Sequence, residues 1–178
     1  FSDSKIAILE VGFGTGLNSF ITFLEAPKFN LTVDYVGVEA YPVADEEIKQ
    51  LNYVNALKAT DFNKVFHEMH QMDWGVKSGF SSNFYLTKRQ QFFDEINDKR
   101  TFNLIFFDAF GARVQPELWT EAIFKKMYIA LKNDGVLVTY SAKGSVRRAM
   151  QSVGFTVERL PGPPGKREML RATKKQVN

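Results

Sequence analysis

The chain is predicted to fold as an open, mostly parallel α/β sheet with helices on both faces and an antiparallel C-terminal edge. Three observations predict it. Apolar runs of strand length alternate with segments of helical period along the chain, the pattern of repeated β-α-β units. The first run, Ile6 to Val11, turns through Gly12, Gly14 and Gly16 into an apolar segment, Leu17 to Leu24, that opens a helix. The last two strand candidates are joined only by P-G-P-P-G, Pro161 to Gly165. That loop is too short for a crossover helix, so the two pair antiparallel.

The elements follow in order. After the first strand and helix, Thr32 to Glu39 reads as a second buried strand. Val43 to Leu57 places Val43, Ile48, Leu51, Val54 and Leu57 at helical spacing, and Asp61 to Met72 continues as a helix. Trp74 to Phe84 carries Gly75, Gly79 and serines, a turn or hairpin, with a strand from Asn83 to Thr87. Phe92 to Ile96 is a short helix, and Phe102 to Phe107 an apolar strand ending at Asp108. Pro116 starts a helix that runs to about Leu131. Asn133-Asp134-Gly135 stops it before a strand from Val136 to Tyr140. Gly144 to Val153 is a helix closed by Gly154, and Phe155 to Leu160 and Glu168 to Ala172 are the final strands.

The bulk numbers bound the function. At 178 residues, with 44% hydrophobic and 24% charged, the chain reads as one globular domain over residues 1–178. No apolar run is long enough to span a membrane, and no N-terminal pattern reads as a signal peptide. The chain starts a few residues before a core strand, so a missing N-terminal segment is expected. With no cysteines, disulfides and thiolate metal sites are excluded, and a cytoplasmic location is expected. His67 and His70 sit three apart, but no carboxylate cluster joins them, so they read as solvated helix residues and no metal is expected. Net charge is +3 with pI near 9.0. From Lys143 onward nine Lys or Arg face only Glu158 and Glu168. One end is therefore basic and suits an anionic partner, while the last few residues read as a solvated tail.

Strand-end residues of such a sheet converge on a ligand. The glycine turn offers close backbone approach and the N–H groups of a helix start. Its spacing, E-x-G-x-G-x-G, lacks the third glycine of the dinucleotide fingerprint, where Leu17 stands. It resembles the first motif of S-adenosylmethionine-dependent methyltransferases. Glu39 ends the second strand, where a carboxylate accepts bonds from ribose hydroxyls. Asp108 ends the Phe102–Phe107 strand, facing the place of the transferred group.

Three more stretches narrow the resemblance: F-D-A-F-G-A-R-V-Q-P-E-L-W-T (Phe107 to Thr120), S-A-K-G-S-V-R-R-A-M-Q-S-V-G-F (Ser141 to Phe155) and P-G-K-R-E-M-L (Pro164 to Leu170). With the glycine loop, they resemble the methyltransferase domain of the bifunctional tRNA-modification protein MnmC and its stand-alone relatives. The likeness runs in order through nearly the whole chain. It implies a class I, Rossmann-like methyltransferase fold with S-adenosyl-L-methionine as cofactor. The implied reaction methylates the amine of 5-aminomethyl-(2-thio)uridine at tRNA wobble position 34. The family's flavin-dependent oxidoreductase module has no counterpart in this sequence, so the substrate would come from a separate enzyme or a separate part of a larger protein.

The resemblance also assigns roles. Glu10, Gly12, Gly14, Thr15, Gly16, Leu17 and Asn18 would line the methionine side of the cofactor. Glu39 would hold the ribose, with Tyr41 and Pro42 near the adenine. Asp108 would orient the amine and stabilise its developing charge. Arg147, Arg148, Lys166 and Arg167 would meet tRNA phosphates, and Glu168 would position its loop by pairing with a basic neighbour. Phe110 is a candidate for stacking on the flipped base; for Trp119 core packing is the stronger reading. Two departures stand out. Relatives carry D-[AG]-F-A-P-x-K after the Asp108 strand, where this chain has D-A-F-G-A-R-V and Arg113 as the compensating cation. They also carry an acid after the third strand, where Gln90 and Gln91 are the nearest equivalents here.

Two other readings share the fold. A polyamine-synthase-like aminopropyltransferase would need a carboxylate-rich slot, and Asp108 has no second Asp near it in sequence. A non-catalytic RNA-binding module would not need an intact glycine loop with Glu39. Titration with S-adenosylhomocysteine separates the readings, and absence of binding at high micromolar concentration would exclude the methyltransferase.

Overall fold

The computed structural model describes residues 4–162, 165 and 167–175. Eight strands form one sheet in the order β3-β4-β2-β1-β5-β6-β8-β7. The strands are β1 (Lys5–Val11), β2 (Thr32–Glu39), β3 (Lys77–Ser81), β4 (Phe84–Gln90), β5 (Phe102–Phe107), β6 (Leu131–Thr139), β7 (Thr156–Pro161) and β8 (Glu168–Thr173). The five strands β4, β2, β1, β5 and β6 run parallel. At one edge β3 pairs antiparallel with β4. At the other, β8 inserts antiparallel between β6 and β7, which is the expected antiparallel C-terminal edge. The strand order reverses at β1, whose neighbours are β2 and β5, so the crevice between their C-terminal ends is the natural ligand site.

Alternation along the central strands feeds two cores. Ile6 and Ile8 of β1, with Val33 and Tyr35 of β2, pack under α1 (Leu17–Glu25) and α4 (Asn63–Gln71) through Phe20, Phe23, Phe66 and Met69. Leu9, Val11, Val36 and Val38 face the other way, onto α5 (Glu121–Ala130) and α6 (Gly144–Ser152) through Phe124, Met127, Val146 and Met150. A sheet buried on both faces explains why its strands read as unbroken apolar runs.

Three expectations are corrected. The segment 43–57 is not one helix but two separate turns, α2 (Asp45–Ile48) and α3 (Tyr53–Ala56). Of its periodic apolar residues only Val54 is buried, so a longer helix there would gain little packing. The helix from Pro116 is interrupted: a single 3₁₀ turn, Pro116–Trp119, precedes α5, and Thr120 stands extended between them. Its hydroxyl accepts the Ile123 N–H and caps the new helix. Asn133-Asp134-Gly135 does not separate helix from strand, because β6 begins directly after α5 at Leu131. The three residues bulge within it, and the partners along β5 jump from Phe102↔Leu131 to Leu104↔Val136.

Candidate active site

A cleft of about 1260 Å³ opens at the C-terminal ends of β1, β2 and β5. The glycine turn forms its floor. Gly12 and Phe13 donate their N–H groups to the Val38 carbonyl, each at 3.0 Å, tying the turn to β2. Gly12 has φ +92°, and a Cβ there would stand 2.9 Å from the Asp108 carbonyl oxygen, so both conformation and space require glycine. Gly16 starts α1 in a left-handed conformation and supplies no capping side chain.

Asn18, in the first turn of α1, joins two carboxylates. Its Nδ2 donates to Glu10 Oε1 at 2.8 Å and to Asp108 Oδ2 at 3.0 Å. The Tyr35 hydroxyl donates to Glu10 Oε2 at 2.8 Å from beneath. Glu10 is buried, and burial pushes its carboxyl up to about 8; the Asn18 and Tyr35 hydrogen bonds oppose this, and the charges of Asp108 and Glu39 add to it. Glu39 is held by backbone donors on both oxygens: Gly14 N–H at 3.0 Å on Oε2 and Tyr41 N–H at 3.1 Å on Oε1. That locks the carboxylate at the mouth of the glycine turn.

The loop after β5 is pinned from below. The Tyr140 hydroxyl donates to the Ala109 carbonyl and the Trp119 indole to the Phe110 carbonyl, both at 2.8 Å. Trp119 itself is buried in the core, against Phe107 and Phe124. Phe110 stands 70% exposed at the rim of the cleft. Burial, with the Asp108 charge second, raises the Tyr140 hydroxyl above the usual tyrosine range.

Of the residues singled out in the sequence, Glu10, Gly12, Gly14, Thr15, Leu17, Asn18, Glu39, Tyr41, Asp108 and Phe110 line the cleft together. Gly16 lies behind the turn, facing His70 and Phe13. Pro42, Gln90 and Arg113 are not among the lining residues. Gln90 ends β4 opposite Glu39 with its side chain in solvent. The chain instead brings Phe92, Asp94 and Glu95 into the cleft, a turn beyond the strand end. Glu95 caps that turn by accepting the Phe92 N–H, leaving Asp94 as the acid positioned toward the cavity. The signal that points to it is an acid within a few residues of a strand end, a short step past the glutamines.

Arg147 and Arg148 lie outside the cleft on α6. Arg148 is exposed and folds back over Gly144. Arg147 is half-buried, and its Nε has no hydrogen-bond partner among the described residues. Arg167 is exposed beyond β7; Lys166 lies outside the described residues. Glu168 pairs with Arg159 at 3.5 Å across the β7–β8 hairpin. His70 is not a solvated residue. Its Nε2 meets the Thr15 carbonyl at 3.1 Å, and its Nδ1 the Phe66 carbonyl at 2.8 Å. Burial holds its pKa below the usual histidine range. His70 and Tyr53, whose hydroxyl meets Thr15 Oγ1 at 2.9 Å, brace the glycine turn from outside. Among the described residues no three His, Asp or Glu come together as a metal site, and no helix is long and apolar enough to cross a membrane.

The lining residues fit S-adenosyl-L-methionine. Carboxylates Glu39, Asp94, Glu95, Asp108 and Glu117 line the cleft with the buried carboxyl of Glu10, and among the described residues no Lys, Arg or His does. Such a site suits a sulfonium cation with an ammonium group, and Gly12 gives the backbone room for close approach.

Comparison with known proteins agrees. The chain is 29% identical over 97% of its length to the tRNA 5-methylaminomethyl-2-thiouridine biosynthesis bifunctional protein MnmC of Actinobacillus pleuropneumoniae. It is 31% identical over 94% to the protein of that name in Leptospira interrogans. It spans 28% and 27% of those relatives' own lengths. The crystal structure of MNMC2 from Aquifex aeolicus superposes with a TM-score of 0.70 at 22% identity, covering 98% of this chain and 55% of that one. A model of the S-adenosyl-L-methionine-dependent methyltransferases matches residues 60–175; with well over half its length matched and a cleft built for that cofactor, the chain belongs to this methyltransferase family.

Proposed function

We propose that this chain, acting as one methyltransferase domain, methylates the amine of 5-aminomethyl-(2-thio)uridine at the tRNA wobble position to give the 5-methylaminomethyl form. One observation carries the reading. Among the described residues the cleft is lined by carboxylates and by no Lys, Arg or His, while the chain carries net charge +3 and, from Lys143 onward, nine Lys or Arg against two acids. The acceptor group is thus a cation or amine, and the molecule that bears it is a polyanion. The names of the relatives above point to the same nucleoside.

S-Adenosyl-L-methionine, when bound, supplies an electrophilic methyl group. The residues of the chain do the rest by placement. Asn18 fixes the plane of the Asp108 carboxylate through Oδ2. Asp108 accepts the N–H of the substrate amine, aims its lone pair and receives the proton that leaves nitrogen. Glu39 holds the ribose hydroxyls, Asp94 the adenine amine, and Tyr41 flanks the ring. Phe110 stacks on the extruded base, and Arg147, Arg148, Lys166 and Arg167 meet the phosphates. The aminomethyl substrate comes from a flavin oxidoreductase, separate or joined to this domain, and a tRNA substrate places the reaction in the cytoplasm.

The test is methyl transfer to tRNA from cells lacking the final methylation, with nucleosides read by mass spectrometry. The expected product is 5-methylaminomethyl-(2-thio)uridine. The row of carboxylates also suits a polyamine, so putrescine and spermidine belong in the assay. Modification of those amines but not of tRNA would overturn the assignment.

A further inference from the structure

The opposite end of the sheet carries a second cavity, of about 460 Å³. Lys99 and Arg100 reach it from the loop before β5, Lys125 and Tyr128 from α5, and Lys174 and Lys175 from the chain after β8. β5 is six residues long, so this cavity lies about 20 Å from Asp108 at the usual rise of a strand. It belongs to the N-terminal ends of the parallel strands, away from the methyl-transfer cleft.

Among the described residues no carboxylate lines this cavity. Among the described residues none of its five cations forms an ion pair; all the pairs lie elsewhere. Asp134 is tied to Lys174 only through the backbone, its N–H donating to the Lys174 carbonyl at 2.8 Å. The cations are placed by the fold rather than left on a tail. Arg100 N–H donates to the Ile129 carbonyl and Thr101 N–H to the Ala130 carbonyl, each at 2.8 Å, clamping the loop onto the end of α5. Lys174 N–H donates to the Gly135 carbonyl at 3.0 Å. Its side chain is buried, with Nζ donating to the Leu131 carbonyl at 2.7 Å and lying 4.9 Å over the Tyr128 ring. This corrects the expectation of a solvated basic tail at that position. Burial holds the Lys174 amine below the usual lysine range, and Arg100 and Lys125 push the same way.

A helix C-terminus attracts cations, but its partial charge is about half an elementary charge. That accounts for one cation, not five. Lys99, Arg100, Lys125 and Lys175 are exposed around an open mouth, as suits a track of phosphates better than one enclosed anion. Lysines act there as point charges and position a backbone without reading sequence.

We propose that this pocket binds phosphodiester groups of the RNA substrate, a second and sequence-independent contact at the opposite end of the strands from the methyl-transfer cleft. The assignment rests on the tRNA reading above. The residues concerned are distinct from Arg147, Arg148, Lys166 and Arg167, so they can be tested apart.

The experiment compares the wild-type chain, the triple variant Lys99→Ala/Lys125→Ala/Lys175→Ala, and a control, Lys49→Ala/Lys58→Ala/Lys64→Ala, that removes the same charge elsewhere. Each is titrated with tRNA over a series of salt concentrations and with S-adenosylhomocysteine to check the fold. The expected result is a slope of log affinity against log salt smaller by about 2 in the first variant, at about 0.7–0.9 for each phosphate no longer neutralised. Its tRNA binding at low salt falls about tenfold or more, its S-adenosylhomocysteine binding stays unchanged, and the control variant stays near wild type. An unchanged slope, or an equal fall in both variants, overturns the proposal. Loss of inorganic pyrophosphate binding with tRNA binding intact also overturns it, making the pocket a small-anion site. If the pocket variant no longer binds tRNA but the wild type transfers no methyl to tRNA, the pocket stands and the proposed reaction falls. If the wild type methylates tRNA and the slope is unchanged, the reverse holds.

Discussion

Asn18 holds Asp108 across 90 positions of sequence, its side-chain nitrogen donating to Oδ2 at 3.0 Å. The first helix thereby sets the carboxylate that ends β5. If Asp108 orients the amine, Asp108→Asn lowers turnover by about 10²- to 10⁴-fold. S-Adenosylhomocysteine affinity, measured by calorimetry, then changes less than tenfold. Asn18→Ala removes one of the contacts that hold the carboxylate, and the expected loss in turnover is smaller, about tenfold. A larger fall in cofactor affinity than in turnover for Asp108→Asn would make Asp108 a cofactor residue.

Gly12→Ala meets two obstacles at once. The backbone is at φ +92°, and the new methyl would press on the Asp108 carbonyl at 2.9 Å. The loop and the strand end must move apart, at a cost of roughly 1–3 kcal/mol. Thermal unfolding is expected at lower temperature than wild type, with S-adenosylhomocysteine affinity reduced as well. Gly14→Ala meets no neighbouring atom and isolates the conformational part, since its φ is also positive.

Glu10 makes stability depend on pH. Its carboxyl is raised from 4.5 to about 8 in the folded chain, so the folded state keeps a proton that the unfolded state gives up. The stability this confers is full below pH 4.5 and is lost as pH rises through about 8. Glu10→Gln imitates the protonated carboxyl and keeps partners for Asn18 and Tyr35. Melting temperatures without cofactor are expected to fall as pH rises from about 4.5 to about 8 for wild type, levelling off above that, and to stay flatter for the variant. The gap is on the order of 2–5 kcal/mol at the alkaline end. Parallel curves for the two proteins would remove Glu10 as the source.

Trp119→Phe keeps the ring in the core but removes the donor to the Phe110 carbonyl. The expected loss of stability is about 0.5–1.5 kcal/mol, read from denaturant melts. Phe110→Ala, at an exposed rim position, should leave stability within about 0.5 kcal/mol and instead raise KM for tRNA.

The parallel strands are legible in the sequence because each is buried on both faces, so β2 and β5 have the bounds that their apolar runs mark. The glycine turn is legible because backbone conformation there dictates residue type. Segment 43–57 misleads because apolar period says nothing of what lies opposite, and only Val54 finds a core to enter. Asp94 escapes notice for a related reason: its place depends on a one-turn helix that carries it past Gln90 and back over the cleft. The cation cavity joins a loop, a helix and a chain end, and no local pattern announces such a meeting. Lys174 reads as tail because its role comes from pairing with the β6 bulge at Gly135.

Gly37 lies in mid-strand beneath Phe13, and a Cβ on it would stand 2.2 Å from that ring. The phenyl therefore occupies the space where β2 would otherwise carry a side chain. The two positions share one volume, so neither can change size alone. In a library randomised at both, survivors should trade bulk between them, a small residue at 13 accompanying any methyl at 37. The cofactor turn is keyed to the sheet by a vacancy, and its evolution is tied to that of a residue that never touches the ligand.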